Sequence, residues 1–342
     1  MSKNKIFKIL IIVGVLAIWK FAISDDESAV LYPVQLTGTT MGPIPYSIKY
    51  MDLEARNFQV EVDSLLDAFN NSLSTYIPSS EISRFNNEDY FEFETEYFYP
   101  VLKASKKVFE NTNGAFDPTI GPLVNAWGFG PNKKTKMDSS AVDSILQAVD
   151  FEKVIFDENQ ARKQKGMSLD FSAIAKGNGI DVVANYLEAK ELKDYMIEIG
   201  GEVTCKGNSP NDTLWVIGIQ KPAMEGGLGG LFAKVWLENR SLATSGNYRN
   251  YYLEDGKIIA HTISPFTGYS ISHNLLSASV FADNCTLADG YATACMVLGF
   301  EESKKLINRI EGLDAFFIYS DEQGNYLSWA SKGIEKYVEL ID

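Results

Sequence analysis

The spacing of apolar residues along the chain predicts a mixture of helices and strands. Apolar positions three and four residues apart mark amphipathic helices, because such positions lie on one helix face. One such stripe runs from Phe58 to Phe69. Helices are predicted over Leu53–Leu73, Tyr97–Glu110, Asp138–Val149, Ala173–Leu187, Cys285–Gly299 and Glu302–Ile310, with a further short helix capped by Ser79 or Ser80.

Segments that alternate apolar and polar residues, or that are short and continuously apolar, predict β-strands. They are two strands within Val34–Tyr50, a hairpin of Lys153–Phe156 with Met167–Phe171, the segments Met196–Cys205, Leu214–Gln220, Leu231–Glu238, Ile258–Ile263 and Leu276–Ala282, and a hairpin of Ala315–Tyr319 with Tyr326–Trp329. Most strands cluster after residue 195, and no repeat of fixed period is present. The pattern therefore predicts an α+β fold, with mixed or antiparallel sheets and flanking helices, in one large domain.

Three stretches rich in glycine or polar residues predict irregular structure. Residues 114–130 contain two prolines and four glycines and are expected to form a shaped loop with a short helix. Residues 241–249 are interpreted as a polar turn, which either binds phosphate through Ser245 or is a simple hairpin loop. Gly226–Gly230 matches neither the Walker pattern nor the dinucleotide-binding glycine pattern, so a flexible hairpin is predicted there.

The N-terminus has the features of a targeting segment. Three lysines among the first eight residues precede the apolar run Ile9–Trp19, which is shorter than the about 20 residues that span a bilayer. Acidic residues follow at 25–27, as in a polar tether. We therefore predict a signal peptide or signal-anchor over residues 1–24, a linker over 25–33 and a globular domain over 34–342. That domain is expected on the periplasmic side of the inner membrane.

Composition and charge narrow the possible functions. The 342 residues are 45% hydrophobic, and Lys+Arg 31 against Asp+Glu 45 gives a net charge of −14. Since the chain has no basic surplus to neutralise a nucleic-acid backbone, no nucleic-acid partner is predicted. The three cysteines (Cys205, Cys285 and Cys295) lack metal-finger spacing. They are interpreted as separate buried thiols, although Cys285 and Cys295 could pair in an oxidising compartment.

The predicted helix at residues 285–299 carries the first candidate for chemistry. Asp289 and Thr293 are four residues apart, so their oxygen-bearing side chains project from one helix face. A carboxylate and a hydroxyl are hard oxygen donors suited to Mg²⁺, which prefers few protein oxygens together with phosphate and water. The alternative is structural: Asp289 is a helix cap or dipole partner, and Thr293 bonds back to its own helix.

Two further polar clusters supply groups that phosphate chemistry needs. Residues 170–177 lead from a predicted strand end into a helix start, where free N–H groups favour an anion and Lys176 adds positive charge. His261 lies at a predicted strand end and is a candidate proton shuttle. The structural alternatives are a capped helix with a surface lysine and a histidine without a catalytic role. For His273, the other histidine, a structural role is predicted.

Eight groups of residues, in order along the chain, together suggest a family. They are Thr39–Gly42; Ser74–Tyr76 with Ser80–Ser83 and Phe85–Asn86; Gly114–Thr119 with Gly121–Val124 and Trp127–Gly130; Asp170–Gly177; Glu198–Gly201; Ala243–Arg249; His261–Gly268; and Ala288–Asp289 to Thr293. This series resembles the ApbE-like FAD:protein FMN transferases and extends from Gln35 to Phe300. The resemblance implies a T-fold-related catalytic domain over residues 34–342.

The resemblance also implies a reaction and its residues. A threonine hydroxyl of an acceptor protein attacks the FMN phosphorus of FAD, AMP leaves, and FMN stays attached through a phosphoester. Mg²⁺ would be held by the Ala173 carbonyl, Asp289 and Thr293, and His261 would be the base for the acceptor hydroxyl. The FAD contacts implied by the resemblance are Met41, Tyr76, Ala115, Phe116, Asp117, Asp170, Lys176 and Ile263. Acceptors would be flavin-carrying subunits of Na⁺-translocating NADH:quinone reductase (Na⁺-NQR) or Rnf type.

Two positions depart from the family pattern. Ser264 stands where the family usually has an acidic residue, and Ser270 stands where proline is common. Other activities remain open from the sequence. The same site would serve a Mg²⁺-dependent FAD pyrophosphatase that releases FMN and AMP, with water replacing threonine, and a non-catalytic flavin-binding protein is a third class.

Overall fold

A computed structural model describes residues 30–222, 230–247, 250–254 and 257–341 of the chain. The predicted targeting segment at residues 1–24, most of the predicted linker and residues 226–229 of the predicted glycine-rich hairpin lie outside these residues. None of the helices within them has the length and apolar character needed to cross a membrane. The first strand begins at Tyr32, two residues before the predicted start of the domain.

Eight α-helices and sixteen strands are present in the described residues. The helices are α1 (Gln59–Leu73), α2 (Glu81–Asn87), α3 (Phe98–Asn111), α4 (Gly121–Ala126), α5 (Ser139–Leu146), α6 (Ala175–Ala189), α7 (Cys285–Leu298) and α8 (Phe300–Arg309). The strands are β1 (Tyr32–Thr40), β2 (Ile44–Asp52), β3 (Tyr90–Glu92), β4 (Ile155–Phe156), β5 (Gln160–Arg162), β6 (Tyr195–Ile199), β7 (Glu202–Lys206), β8 (Trp215–Gln220), β9 (Leu231–Leu237), β10 (Ser241–Gly246), β11 (Tyr251–Glu254), β12 (Lys257–Ala260), β13 (Leu275–Ala282), β14 (Asp314–Ser320), β15 (Tyr326–Ala330) and β16 (Val338–Leu340).

An eight-stranded sheet organises the molecule, with the strand order β1-β2-β6-β7-β10-β13-β14-β15. All its neighbouring strands are antiparallel. Helices α1, α6 and α7 pack on one face, and the three-stranded sheet β16-β9-β8 packs on the other. Because side chains alternate along a strand, Val203 and Cys205 of β7 face the small sheet while Glu202 faces the helices. The predicted α+β class with antiparallel sheets and flanking helices is confirmed.

Helices α6 and α7 approach each other closely over the centre of this sheet. Gly177 makes the approach possible, because a Cβ atom at this position would lie 2.2 Å from the Cys285 carbonyl oxygen and 2.9 Å from the Asp289 Cβ. Asp181 of α6 accepts hydrogen bonds from the backbone N–H groups of Cys285 and Thr286, both at 2.8 Å. One carboxylate of α6 thus anchors the first turn of α7.

This anchor leads to a stability prediction. Asp181→Ala is expected to lower the free energy of unfolding by about 2 kcal/mol, since the N–H groups at the start of α7 lose their acceptor. Chemical denaturation measures the loss. Asp321→Ala is the matched control: Asp321 accepts similar bonds from Gln323 and Asn325, but in an exposed turn where water can replace it, so a loss below about 1 kcal/mol is expected. Equal losses in the two variants would contradict the prediction.

All three cysteines are free and buried. Cys285 and Cys295 both belong to α7, and the Cys285 Sγ lies 3.8 Å from the carbonyl oxygen of Val203 on the neighbouring sheet. Burial raises the pKa of each thiol. The prediction of separate buried thiols is confirmed.

Most predicted elements are present, and their caps lie where the sequence places them. Ser80 caps α2 by accepting from the Ser83 N–H at 3.2 Å, and Asp138 caps α5 by accepting from the Ala141 N–H at 2.9 Å. Helix α7 ends before Gly299, whose φ of 77° suits glycine. Local periodicity and local caps therefore identified these helices correctly.

One predicted hairpin is wrong. Residues 167–171 form no strand, and β4 pairs instead with β5. The reason lies in hydrogen bonds from outside the segment: Leu169 donates to the Asn86 side chain at 2.7 Å, and the Asn86 amide donates back to the Leu169 carbonyl at 2.8 Å. The Asp170 N–H donates to the Pro118 carbonyl at 2.7 Å. These bonds satisfy the backbone groups that a strand partner would otherwise take.

Two other segments differ from their predicted form. Residues 196–205 are two strands, because Gly200 and Gly201 both have positive φ and form a tight turn between β6 and β7. Residues 241–246, interpreted as a turn or hairpin loop, are the central strand β10, paired with β7 and β13. The small polar residues of this segment are also typical of turns. In the buried sheet, their small side chains leave room for α7 to pack.

Candidate active site

The junction of α6 and α7 brings Asp289, a predicted metal ligand, to the helix start that was predicted to bind phosphate. The Gly177 N–H in the first turn of α6 donates to the Asp289 Oδ2 at 3.0 Å. Helix α7 has its own cap, Asn284, which accepts from the Leu287 N–H at 2.9 Å. Asp289 therefore does not cap its own helix. It places a carboxylate at the positive end of the neighbouring helix α6.

Lys176, adjacent to Gly177, forms a buried ion pair. Its Nζ contacts the Oε1 of Glu202, the first residue of β7. Burial by itself would lower the pKa of Lys176, but the charges of Glu202 and Asp289 outweigh it and the pKa is raised. Burial raises the pKa of Glu202 to about 7, with Lys176 opposing and Asp289 adding to the shift. Lys176 is therefore a charged group at neutral pH.

A cavity of about 870 Å³ lies over this junction. Its volume suits a ligand with a planar ring system. Three of the predicted FAD-contact residues line it, and the rest of its wall comes from the β1–β2 turn, the end of α1 and the start of α6. The lining residues are Met41, Gly42, Pro43, Ile44, Asp67, Phe69, Asn70, Asn71, Leu73, Ser74, Thr75, Tyr76, Ile77, Ser172, Ala175 and Lys176.

Tyr76 stands at the mouth of this cavity, where 64% of the residue is exposed. Its hydroxyl donates to the Phe129 carbonyl at 3.5 Å. Partial burial, and then the negative charge of Asp170, raises the pKa of the Tyr76 hydroxyl. An exposed aromatic face near the negatively charged Asp170 is a suitable wall for a flat heterocycle.

The donor types of the three predicted metal ligands are those that a divalent cation of the magnesium type prefers. Asp289 is only 2% exposed. Burial raises the pKa of Asp289, and Lys176 and the Gly177 N–H partly offset this rise. The Thr293 hydroxyl lies 3.3 Å from the Ser245 hydroxyl of β10, and Ala173 lies in the turn before α6. Across the described ranges, no group of three or more His, Cys, Asp or Glu residues could hold a metal. One carboxylate, hydroxyls and a carbonyl match Mg²⁺, which takes its remaining ligands from phosphate and water.

His261 has the protonation state of a base. Its Nδ1 lies 3.2 Å from the Asn250 carbonyl oxygen, which can only accept, so the Nδ1 carries the proton and the Nε2 is left with a lone pair. Burial lowers the pKa of His261, and the positive charge of Lys176 lowers it further. The ring is therefore neutral at pH 7, and the charge of Lys176, which lines the cavity, acts on it. Phe129 packs against it, with ring centroids 6.3 Å apart.

The two departures from the family pattern are accommodated locally. The Ser264 Oγ accepts from the backbone N–H groups of Phe266 and Thr267, at 3.2 and 3.4 Å. A hydroxyl thus takes the capping role that an acidic side chain would fill. The Ser270 Oγ accepts from the Ala260 N–H and donates to the Ala260 carbonyl, which ties the segment after His261 to β12.

Five predicted FAD contacts have side chains that do not line the cavity. Ala115 and Phe116 are buried in the main hydrophobic core. Asp117 accepts from the backbone N–H groups of Thr119 and Phe151, and burial raises its pKa. Asp170 accepts from Ser172 at 2.8 Å. Ile263 packs in a small cluster with Leu123, Trp127 and Val142. These side chains shape the loops around the site.

The structure adds two polar residues that the sequence did not assign. Glu202 was missed because it follows Gly200 and Gly201 inside a segment interpreted as one strand. The sequence predicts Ser245 in a turn that binds phosphate or in a simple hairpin loop, yet Ser245 lies on β10 opposite Thr293. The adjacent glycines Gly200 and Gly201 were the local sequence signal that could have revealed the turn and the polar residue after it.

Solved structures share this architecture. The flavin transferase ApbE from Vibrio cholerae superposes with a TM-score of 0.80 and 32% identity, covering 90% of this chain and 100% of that one. The apo form of the Pseudomonas stutzeri flavinyl transferase ApbE superposes with a TM-score of 0.78 and 30% identity, covering 90% and 97%. With the fold and site described above, these matches define the chain as an enzyme of the transferase class.

Curated sequences give the family. The FAD:protein FMN transferase of Vibrio cholerae is 35% identical over 317 residues, which are 89% of this chain and 92% of that protein. The FAD:protein FMN transferase of Haemophilus influenzae is 35% identical over 321 residues, 90% and 92%. A model of the ApbE family matches residues 41–317. The chain belongs to the ApbE family.

Proposed function

We propose that this protein is a Mg²⁺-dependent FAD:protein FMN transferase that attaches FMN to a threonine hydroxyl of an acceptor flavoprotein. The observation that carries the proposal is the α6–α7 junction, where Lys176 lines a ring-sized cavity and the N–H of the adjacent Gly177 binds Asp289. Phosphoryl transfer depends mainly on charge neutralisation and in-line positioning, and this junction supplies groups for both. Family membership and the names of the relatives support the same activity.

The flavin is proposed to occupy the cavity, with its ring against Tyr76 and Met41. Its pyrophosphate would then reach the start of α6, where the helix N-terminus and Lys176 attract negative charge. Ala115, Phe116, Asp117, Asp170 and Ile263 would hold the surrounding loops in place or contact FAD through the backbone. An acidic protein can bind a dianion in this way, because local positive groups outweigh the distant net charge.

Asp289, Thr293 and the Ala173 carbonyl would hold Mg²⁺, which when bound neutralises charge on the pyrophosphate. The neutral His261 would take the proton from the acceptor threonine through its Nε2. The threonine oxygen forms a bond to the FMN phosphorus, the bond from that phosphorus to the AMP oxygen breaks, and AMP leaves. The proton held by His261 is then released to solvent, which restores the base.

The test uses the purified full-length protein with FAD, MgCl₂ and an acceptor domain that carries the target threonine. The acceptor is expected to become covalently fluorescent and to gain the mass of FMN minus water, with one AMP released for each label. EDTA is expected to stop the labelling, and an acceptor with valine at the target position is the control. Free FMN without labelled acceptor would point to a pyrophosphatase, and unchanged FAD to a binding protein.

The cellular setting is also a proposal. The basic and apolar start of the chain supports a signal peptide or signal-anchor over residues 1–24, with the catalytic domain tethered at the periplasmic side of the inner membrane. Acceptors would be flavin-carrying subunits of Na⁺-NQR or Rnf type. Fractionation of cells, with protease applied to spheroplasts, tests this: a protein resistant to external protease would contradict the periplasmic placement.

A further inference from the structure

A tight turn fixes the position of the Glu202 backbone. Gly200 and Gly201 have φ values of 61° and 102°, and Glu202 pairs directly with Ile199 across them. A Cβ atom at Gly200 would lie 3.4 Å from the Lys176 Cδ and 3.8 Å from the Glu202 Oε2. The turn therefore packs against both partners of the ion pair and limits their freedom to move.

Glu202 lies behind Lys176 as seen from the cavity. Glu202 is 2% exposed, whereas the Lys176 side chain is 26% exposed and lines the cavity. The Glu202 Oε1 contacts Lys176, and its Oε2 is buried without a hydrogen-bond partner in the described parts of the chain. A buried carboxylate with an unsatisfied oxygen costs free energy, so this ion pair is a poor source of fold stability.

The charge of a second carboxylate, Asp289, also acts on Lys176. Lys176 is the neighbour of Gly177, whose N–H donates to Asp289. Two buried carboxylates therefore act on one ammonium group, and Glu202 is in contact with it. If Glu202 lost its charge, Asp289 would be the remaining anion for Lys176, and a pair with Lys176 would occupy the carboxylate that a divalent cation needs.

We propose that Glu202 is a positioning residue that holds the Lys176 ammonium at the β6–β7 turn and keeps it from pairing with Asp289. Asp289 is thereby left available to a divalent cation, and the ammonium faces the cavity. This inference rests on the proposed function for the metal role of Asp289. Glu202 itself contacts neither the cation nor the flavin.

The test measures Mn²⁺ binding to the purified full-length protein without FAD, by the EPR signal of the free aqua ion. Glu202→Gln is expected to weaken binding by about 10- to 100-fold, the size of effect found when a residue outside the metal ligands that controls their surroundings is removed. Adding Lys176→Met to that variant removes the competing ammonium, so the double variant is expected to bind Mn²⁺ within about threefold of wild type. Glu302→Gln breaks an exposed pair with Lys305 and is the control, with unchanged binding expected.

The double variant separates positioning from structural damage. Harm to the fold in Glu202→Gln would not be repaired by a second substitution at Lys176, so a double variant as weak as the single one would overturn the proposal. Binding by Glu202→Gln equal to or tighter than wild type would also overturn it, because Glu202 would then only add negative charge. Glu202→Asp, which keeps the charge on a shorter side chain, is expected to fall between wild type and Glu202→Gln. It replaces Glu202→Gln in the comparison if the latter does not fold.

The acceptor-labelling assay keeps this proposal distinct from the proposed function. If wild type labels the acceptor while the Glu202 variants bind Mn²⁺ normally, the transferase activity stands and the positioning role fails. If wild type binds neither Mn²⁺ nor FAD, the proposed function fails and the positioning role fails with it. Each result therefore identifies which statement is wrong.

Discussion

Asp289→Asn is expected to lose flavin transfer by about 1,000-fold while retaining its fold. The asparagine oxygen can still accept from the Gly177 N–H, so the α6–α7 contact is preserved. The negative charge that would hold the cation is lost, and the several kcal/mol of transition-state stabilisation that a metal supplies correspond to a loss of that size. Initial rates of acceptor labelling at several MgCl₂ concentrations measure it.

Thermal unfolding of the same variant distinguishes loss of chemistry from loss of structure. Burial raises the pKa of Asp289, so its charged form is disfavoured in the folded protein. That penalty is absent when the carboxyl is protonated at low pH and grows as the pH rises through its unfolded-state pKa. At pH 7 the neutral asparagine removes it, so a melting temperature no lower than wild type is expected. Asp143→Asn on the exposed face of α5 is the control, and wild-type activity of Asp289→Asn at ordinary Mg²⁺ would contradict the metal role.

His261→Gln is expected to slow transfer by about 100- to 10,000-fold, the usual effect of removing a general base. FAD binding is expected to change little, because the ring contacts Asn250 and Phe129 and not the lining of the cavity. Single-turnover labelling with saturating FAD separates the chemical step from binding. His273→Gln is the matched control: the His273 Nε2 bonds to the Met296 carbonyl at the end of α7, which is a structural contact.

The pH dependence of the transfer rate is a second test of the role of His261 as a base. Burial and Lys176 lower the pKa of His261 below its ordinary value of 6.5. Only the neutral ring can accept a proton. The wild-type rate is therefore expected to be near its maximum at pH 7 and to decrease only at pH values below the ordinary pKa of histidine. In His261→Gln, this decrease in rate at low pH (the acid limb of the profile) is expected to be absent. An unchanged limb in the variant would show that another group titrates.

Local signals were sufficient for much of the fold. The helices were found from apolar spacing, and Ser80 and Asp138 were identified as caps, because both features depend on residues within one turn of each other. The failures share a different cause. The strand predicted at 167–171 is replaced by bonds to Asn86, 83 residues away in sequence, which no local pattern encodes.

The candidate site, like the fold, was predicted only in part from the sequence. By itself the sequence determined which groups are available: Asp289 and Thr293 on one helix face, Lys176 in a first helical turn, and His261 after a strand. Only the tertiary structure decided how they combine. It directs Asp289 to the start of α6, 112 residues away, sets Ser245 opposite Thr293 across 48 residues, and pairs Lys176 with Glu202. Such pairings follow from strand order and sheet register, which depend on the packing of the whole chain.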